Sequence, residues 1–142
     1  MIGKDEKKLN EAESVFEKTA RAIWSNVANA PMENFSWLVK ENQAAFLKEK
    51  QFYIQLLEKR SSLFIEEARQ CQLPLYPYKE GFFVTIKVVD EQLKKKFHQA
   101  LMEQHIYTVE VNHGIRIALC SLSIEKIKGL AFKIKKVLDQ CR

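Results

Sequence analysis

The chain has 142 residues, 46% of them apolar, which is enough for one ordinary domain with a core and too apolar for a disordered chain. Its formal charge of +5 arises from 23 basic and 18 acidic residues spread along the sequence, a balance that argues for solubility more than for a dedicated polyanion binder. Three cysteines without a C-x-x-C, no signal peptide and no apolar run that would cross a bilayer lead us to expect a reducing, cytoplasmic setting and no membrane partner.

Leu9, Ala12, Phe16, Ala20 and Ile23 recur at helical spacing, so the segment from Leu9 to Trp24 reads as a helix with one apolar stripe that stops at Ser25. Pro31 suits a first helical turn, where a missing N–H is no loss, and predicts a second helix from about that point. Leu47, Ile54, Leu57, Phe64, Ala68 and Cys71 predict the longest helix, Phe46 to Cys71, before Pro74 and Pro77 forbid continuation. Phe82, Val84, Ile86 and Val88 then alternate with Phe83, Thr85 and Lys87, the pattern of a strand whose first set is buried.

Asp90 is placed to cap a helix from Glu91 to about His105, with Leu93, Phe97, Ala100 and Leu101 inward. The stretches IYTVEV (106–111) and IRIALC (115–120) read as a hairpin closed by Asn112-His113-Gly114, in which Gly114 is expected to take a positive φ. Ser123 is expected to cap one last helix carrying Ile127, Leu130, Ile134, Val137 and Leu138. The sum is an α+β fold: a small sheet of three or four strands with helices packed on one face, preceded by a long helix and shorter N-terminal helices.

Self-contained catalytic motifs are missing: there is no G-x-S-x-G, P-loop or G-x-G-x-x-G. His98 and His105 lie about 10 Å apart along one predicted helix, and His113 has no ligand-spaced neighbour, so we expect no metal site. Lys94 to Lys96 and Lys126, Lys128, Lys133, Lys135 and Lys136 are more simply solvated helix faces than a phosphate-binding patch. Phe82 and Phe83 superficially suggest base stacking, but the RNA-binding sheet motif is absent.

Arg116 stands out. A guanidinium has no neutral form at useful pH, and its unpaired burial costs several kcal/mol, so between Ile115 and Ile117 it must find a partner. One partner is a carboxylate such as Glu110 on the facing strand; the other is a ligand carboxylate or phosphate taken bidentately, and the sequence leaves the two open. Arg21, near the end of the first helix, reads by itself as dipole compensation by an exposed cation.

Three short motifs in register change the weight of these residues. R-A-I-W-S-N at 21–26, G-F-F at 81–83 and G-I-R-I-A at 114–118 resemble motifs in the C-terminal part of fold type I pyridoxal-phosphate aminotransferases, the aspartate and aromatic (tyrosine) group. The order of helices and strands is similar too, over essentially the whole chain. The resemblance implies that Arg116 clamps the α-carboxylate of an amino or 2-oxo acid and that Phe83 lines the pocket. It implies that Arg21, supported by Ser25 and Asn26, reaches the neighbouring subunit's site in a homodimer and meets the side-chain carboxylate of a dicarboxylic substrate. Trp24 stands where the group has tyrosine, and Val27 where it has proline.

The lysine that anchors pyridoxal phosphate in this family, and the residues that hold the cofactor, have no counterpart here. The resemblance therefore implies residues 1–45 as a remnant of the large cofactor domain, 46–75 as the long connecting helix and 76–142 as the small domain. It also implies a chain that binds no cofactor and is inactive alone, and whose first helix, its apolar face uncovered, self-associates. The competing expectation is a free-standing basic α+β module for nucleic acid or an acidic partner, and a blander one is a degenerate carboxylate-binding domain.

Overall fold

A computed structural model describes residues 5–24 and 28–142, the side chain of Trp24 excepted. They fall into two compact units, Met1–Leu47 and Lys48–Arg142. The first holds α1 (Glu6–Trp24), α2 (Asn29–Glu41) and the opening turn of α3 (Gln43–Gln70). Pro31 sits in the first turn of α2, as its chemistry demands, and α2 buries none of its residues.

The second unit carries the rest of α3, then β1 (Phe83–Lys87), α4 (Glu91–Glu103), β2 (Val109–Val111), β3 (Gly114–Ala118), α5 (Ile124–Ile127) and α6 (Leu130–Cys141). The α+β expectation holds: the three strands form an antiparallel sheet in the order β1-β3-β2. A fourth segment adds a single bridge at the free edge of β1, Leu75 to Ile86, flanked by hydrogen bonds from Tyr76 N to Thr85 O and from Lys87 N to Pro74 O.

Alternation sorts the sheet into two faces. Val84, Ile86, Ile115 and Ile117 point inward and are buried against Phe64 and Ala68 of α3, Phe97 and Leu101 of α4, and Ile134 and Leu138 of α6. Helix chemistry aims these residues: Asp90 caps α4 by accepting the Leu93 N–H at 2.6 Å. The core thus lies on one side of the sheet; on the other, Phe83 and Val109 are exposed and Thr85, Arg116 and Ala118 half-buried.

Four local expectations are corrected. Gly114 has no positive φ; it is glycine because a Cβ there would lie 2.1 Å from the Ile86 carbonyl oxygen, so the requirement is close approach between β3 and β1. Phe82 is not on the buried face but precedes β1 and is exposed. The segment 106–111 contributes only Val109–Val111 as strand, because α4 ends in a Schellman motif with His105 at φ 58° and the Ile106 N–H on the Leu101 carbonyl. The same motif ends α3, with Gln72 at φ 54° and the Leu73 N–H on Ala68.

The fourth correction is the last helix, which is two. Gly129 takes φ 75° and its N–H donates at 2.7 Å to Oε1 of Glu67, a buried carboxylate on α3. That carboxylate meets the positive end of α6, where negative charge is favoured, and so fixes both the break and the seat of α6 on α3. Ser123 caps only the short α5, and with the backbone N–H of Glu125 it holds the Glu125 carboxyl below its ordinary range, the backbone bond contributing most.

Gly114→Ala is expected to force β3 away from β1 and to lower stability by about 1–3 kcal/mol, the usual cost of overpacking. Urea denaturation would measure it, and an unchanged midpoint would contradict the close-approach reading.

Candidate functional site

β3 positions Arg116 by parity. With Ile115 and Ile117 committed to the core, its side chain emerges on the open face, where Thr85 of β1 and Val109 of β2 are its direct cross-strand partners. Phe83, paired with Ala118 two residues on, is its diagonal neighbour. The Arg116 guanidinium carbon lies 4.7 Å from the centre of the Phe83 ring, a cation–π contact worth about 0.5–2 kcal/mol. The ring of Phe82 stands edge-on to Phe83, with centroids 6.4 Å apart.

The carboxylate partner that the sequence left open is not there. Glu110 pairs in register with Ile115, so it points to the helix side of the sheet, where its Oε1 lies 2.9 Å from Nδ1 of His98 on α4. The other ring nitrogen of His98 faces the Thr108 carbonyl at 3.1 Å. Among the described residues, no acidic side chain bridges Arg116, and its Nε is buried with no hydrogen-bond partner. The guanidinium is therefore held by an aromatic face and a β-pleat, with its Nε–H unpartnered.

Arg60 was not singled out in the sequence. From α3 it donates through Nη1 to the Cys120 carbonyl at 2.8 Å, in the 3-10 turn Leu119–Ser121 that follows β3. Its place at a helical position among polar neighbours gave no signal. A cleft of about 590 Å³ opens between α3 and the loop before β1, lined by Ile54, Leu57, Ser61, Tyr78, Gly81 and Phe82 among others. Tyr78 braces that loop by donating from its hydroxyl to the Gly81 carbonyl at 2.8 Å.

The remaining candidates divide. Arg21 stands exposed in the last turn of α1, in the first unit, whereas Arg116 and Phe83 come together in the second. Ser25 and Asn26 lie outside the described residues. The lysines are not a uniform solvated face: Lys94 is buried, donating to Glu91, to the Val111 carbonyl at 3.1 Å and to the Asn112 carbonyl at 3.2 Å. Lys96 reaches the Cys141 carbonyl, Lys133 the Gln104 carbonyl and Lys135 the Asp139 carboxylate. No group of metal-ligating side chains is found among the described residues, nor a helix long and apolar enough to cross a membrane.

The aromatic contact has its own test. Phe83→Leu should move the Arg116 Nε–H proton resonance downfield by removing the ring current, while Phe83→Tyr should leave it nearly in place; identical spectra for Phe83→Leu and the wild type would contradict the stacking.

Neither a family model nor a curated protein matches this chain. Among solved structures, it is similar to an aminotransferase from Anaerococcus prevotii, at 26% sequence identity and a TM-score of 0.82. The similarity covers 95% of this chain but 32% of that one, so the chain spans about a third of the length of the aminotransferase whose fold it shares.

Proposed function

We propose that this chain is the C-terminal portion of a cytoplasmic, homodimeric pyridoxal-phosphate aminotransferase of the aspartate/aromatic group, and that Arg116 receives the carboxylate of its amino or 2-oxo acid substrates. The observation that supports this reading best is the state of Arg116: a permanent cation on an open sheet face, with an unpartnered Nε and no carboxylate of its own among the described residues. Similarity to about a third of an aminotransferase supports the wider assignment. Residues 1–45 would then belong to the large domain, 46–75 form the connecting helix, and 76–142 make the small domain that closes over substrate.

In this reading Arg116 offers two parallel N–H groups to a planar carboxylate, which fixes both the position and the orientation of the acid. Phe83 covers one face of the guanidinium and keeps water from competing there, so the ion pair gains strength from the lowered local dielectric. Arg21, with Ser25 and Asn26, would meet the second carboxylate of a dicarboxylic acid.

Pyridoxal phosphate supplies the electron sink for amino-group exchange in such enzymes. The described residues do not fit it. The buried lysine, Lys94, already shares its ammonium among three oxygens, and Lys96 is tied to the end of α6. In our reading the cofactor-holding residues belong to the rest of the parent enzyme, and this chain alone binds carboxylates without transaminating. The rival reading as a nucleic-acid module loses ground on the same facts, because several of its lysines already serve internal acceptors.

Calorimetric titration with 2-oxoglutarate tests the proposal. The wild-type chain should bind weakly, Arg116→Ala should abolish binding, and Arg116→Lys should weaken it by about tenfold or more through loss of a charge-assisted hydrogen bond. Equal affinity in all three would contradict the assignment. A second expectation comes from the first unit, where Val15, Phe16 and Ile23 of α1 and Met32, Phe35 and Trp37 of α2 are exposed. Such surface drives association when its covering domain is missing, so sedimentation velocity should show oligomers growing with concentration; a monomer throughout would refute this.

A further inference from the structure

The strand β2 is threaded against its own hydrophobic pattern. In residues 107–111 the valines occupy odd positions and Thr108 and Glu110 even ones, so pattern alone would turn Val109 and Val111 toward the helices and Glu110 toward solvent. The observed register exchanges the two faces, although Glu110 still reaches solvent and Val111 is half-buried. Val109 pairs with Arg116 on the open face and is 52% exposed, while Glu110 pairs with Ile115 on the helix side. The inversion leaves the Thr108 hydroxyl oxygen buried without a partner.

The turn repeats the conflict. Asn112-His113-Gly114 suits a three-residue hairpin loop with glycine in the left-handed region, yet the chain uses a two-residue turn and keeps Gly114 in β3 without a positive φ. Moving β2 by one residue would create the three-residue loop, bury both valines and place Glu110 directly across from Arg116 on the open face, because cross-strand partners share a face. There its carboxylate would occupy the guanidinium.

What opposes that slip is a clamp from α4. His98 takes Glu110 at 2.9 Å and the Thr108 carbonyl at 3.1 Å. One turn earlier, Lys94 holds the Val111 and Asn112 carbonyls. The turn is further tied by the Val88 N–H and the Tyr76 hydroxyl, both donating to the His113 carbonyl.

We propose that His98 and Lys94 are positioning residues: they lock β2 in the register that keeps Glu110 away from Arg116, and so keep the guanidinium free for a ligand. This rests on the carboxylate-binding reading of Arg116. Without the clamp, the hairpin relaxes into the register its sequence prefers and Arg116 is quenched from within.

The test combines register and binding in the full chain. His98→Leu should replace the cross-strand proton contacts between Glu110 and Ile115 with contacts between Glu110 and Arg116. It should also weaken 2-oxoglutarate binding by about tenfold or more, in proportion to the slipped population. Adding Glu110→Gln to that variant should restore most of the binding, because the slipped strand then presents no charge to Arg116; a merely structural lesion would not be rescued. Should His98→Leu fail to fold, Lys94→Met is expected to give the same slip and the same rescue.

Native contacts in a folded variant, or lost binding that Glu110→Gln does not restore, would overturn the proposal. A wild-type chain that binds no 2-oxoglutarate would instead remove the carboxylate reading, with the register contacts still deciding whether the clamp exists.

Discussion

A guanidinium that cannot give up its charge, fixed by strand parity on the open side of a three-stranded sheet, is the constraint around which the second unit is arranged. Ile115 and Ile117 decide the matter by going into the core, since the pleat then leaves Arg116 only one direction. Everything next to it is compatible with an unspent cation: a threonine and a valine directly across, an aromatic ring on the diagonal, and the nearest strand carboxylate turned to the other face. A protein that needed this arginine only for stability would gain by pairing it, because an unpaired, partly buried charge is costly.

In the supporting structure several buried polar groups do find partners, although Glu67 Oε2, Arg60 Nε and the Thr108 hydroxyl oxygen are left without one. Glu67 accepts the Gly129 N–H, Lys94 serves two carbonyls and a carboxylate, and His98 meets an acceptor at each ring nitrogen. Each joins elements far apart in sequence, α3 to α6 or α4 to the β2–β3 hairpin. Burying charge brings little net stability but penalises wrong arrangements heavily, so such contacts select one register and one helix break among several that hydrophobic pattern would allow. Arg116 has no such partner among the described residues, and departures from local consistency mark places where function is expected.

Much of this was legible in the sequence, and the failures have physical causes. Period reading found the helices and the alternation of β1, because apolar burial dominates there: Phe64, Phe97, Leu101, Ile134 and Leu138 are all buried. It failed where single polar contacts decide. The break at Gly129 depends on Glu67, sixty-two residues away, and the ends of α3 and α4 use Gln72 and His105 where glycine would have given the signal. Gly114 was recognised as necessary for the wrong reason. Arg116 was visible because an isolated arginine between isoleucines is chemically conspicuous, but the fate of Glu110 was not, since it turns on a strand register that the local pattern opposes. Arg21 is placed without its setting, and Ser25 and Asn26 lie outside the described residues.

Nuclear magnetic resonance of the Arg116 guanidinium during titration with 2-oxoglutarate shows whether this arginine is a carboxylate receptor. The Arg116 Nε–H resonance should shift saturably with ligand, accompanied by the ring protons of Phe83. A resonance that stays fixed while signals elsewhere in the chain respond would place the binding site somewhere else and rule Arg116 out as the receptor.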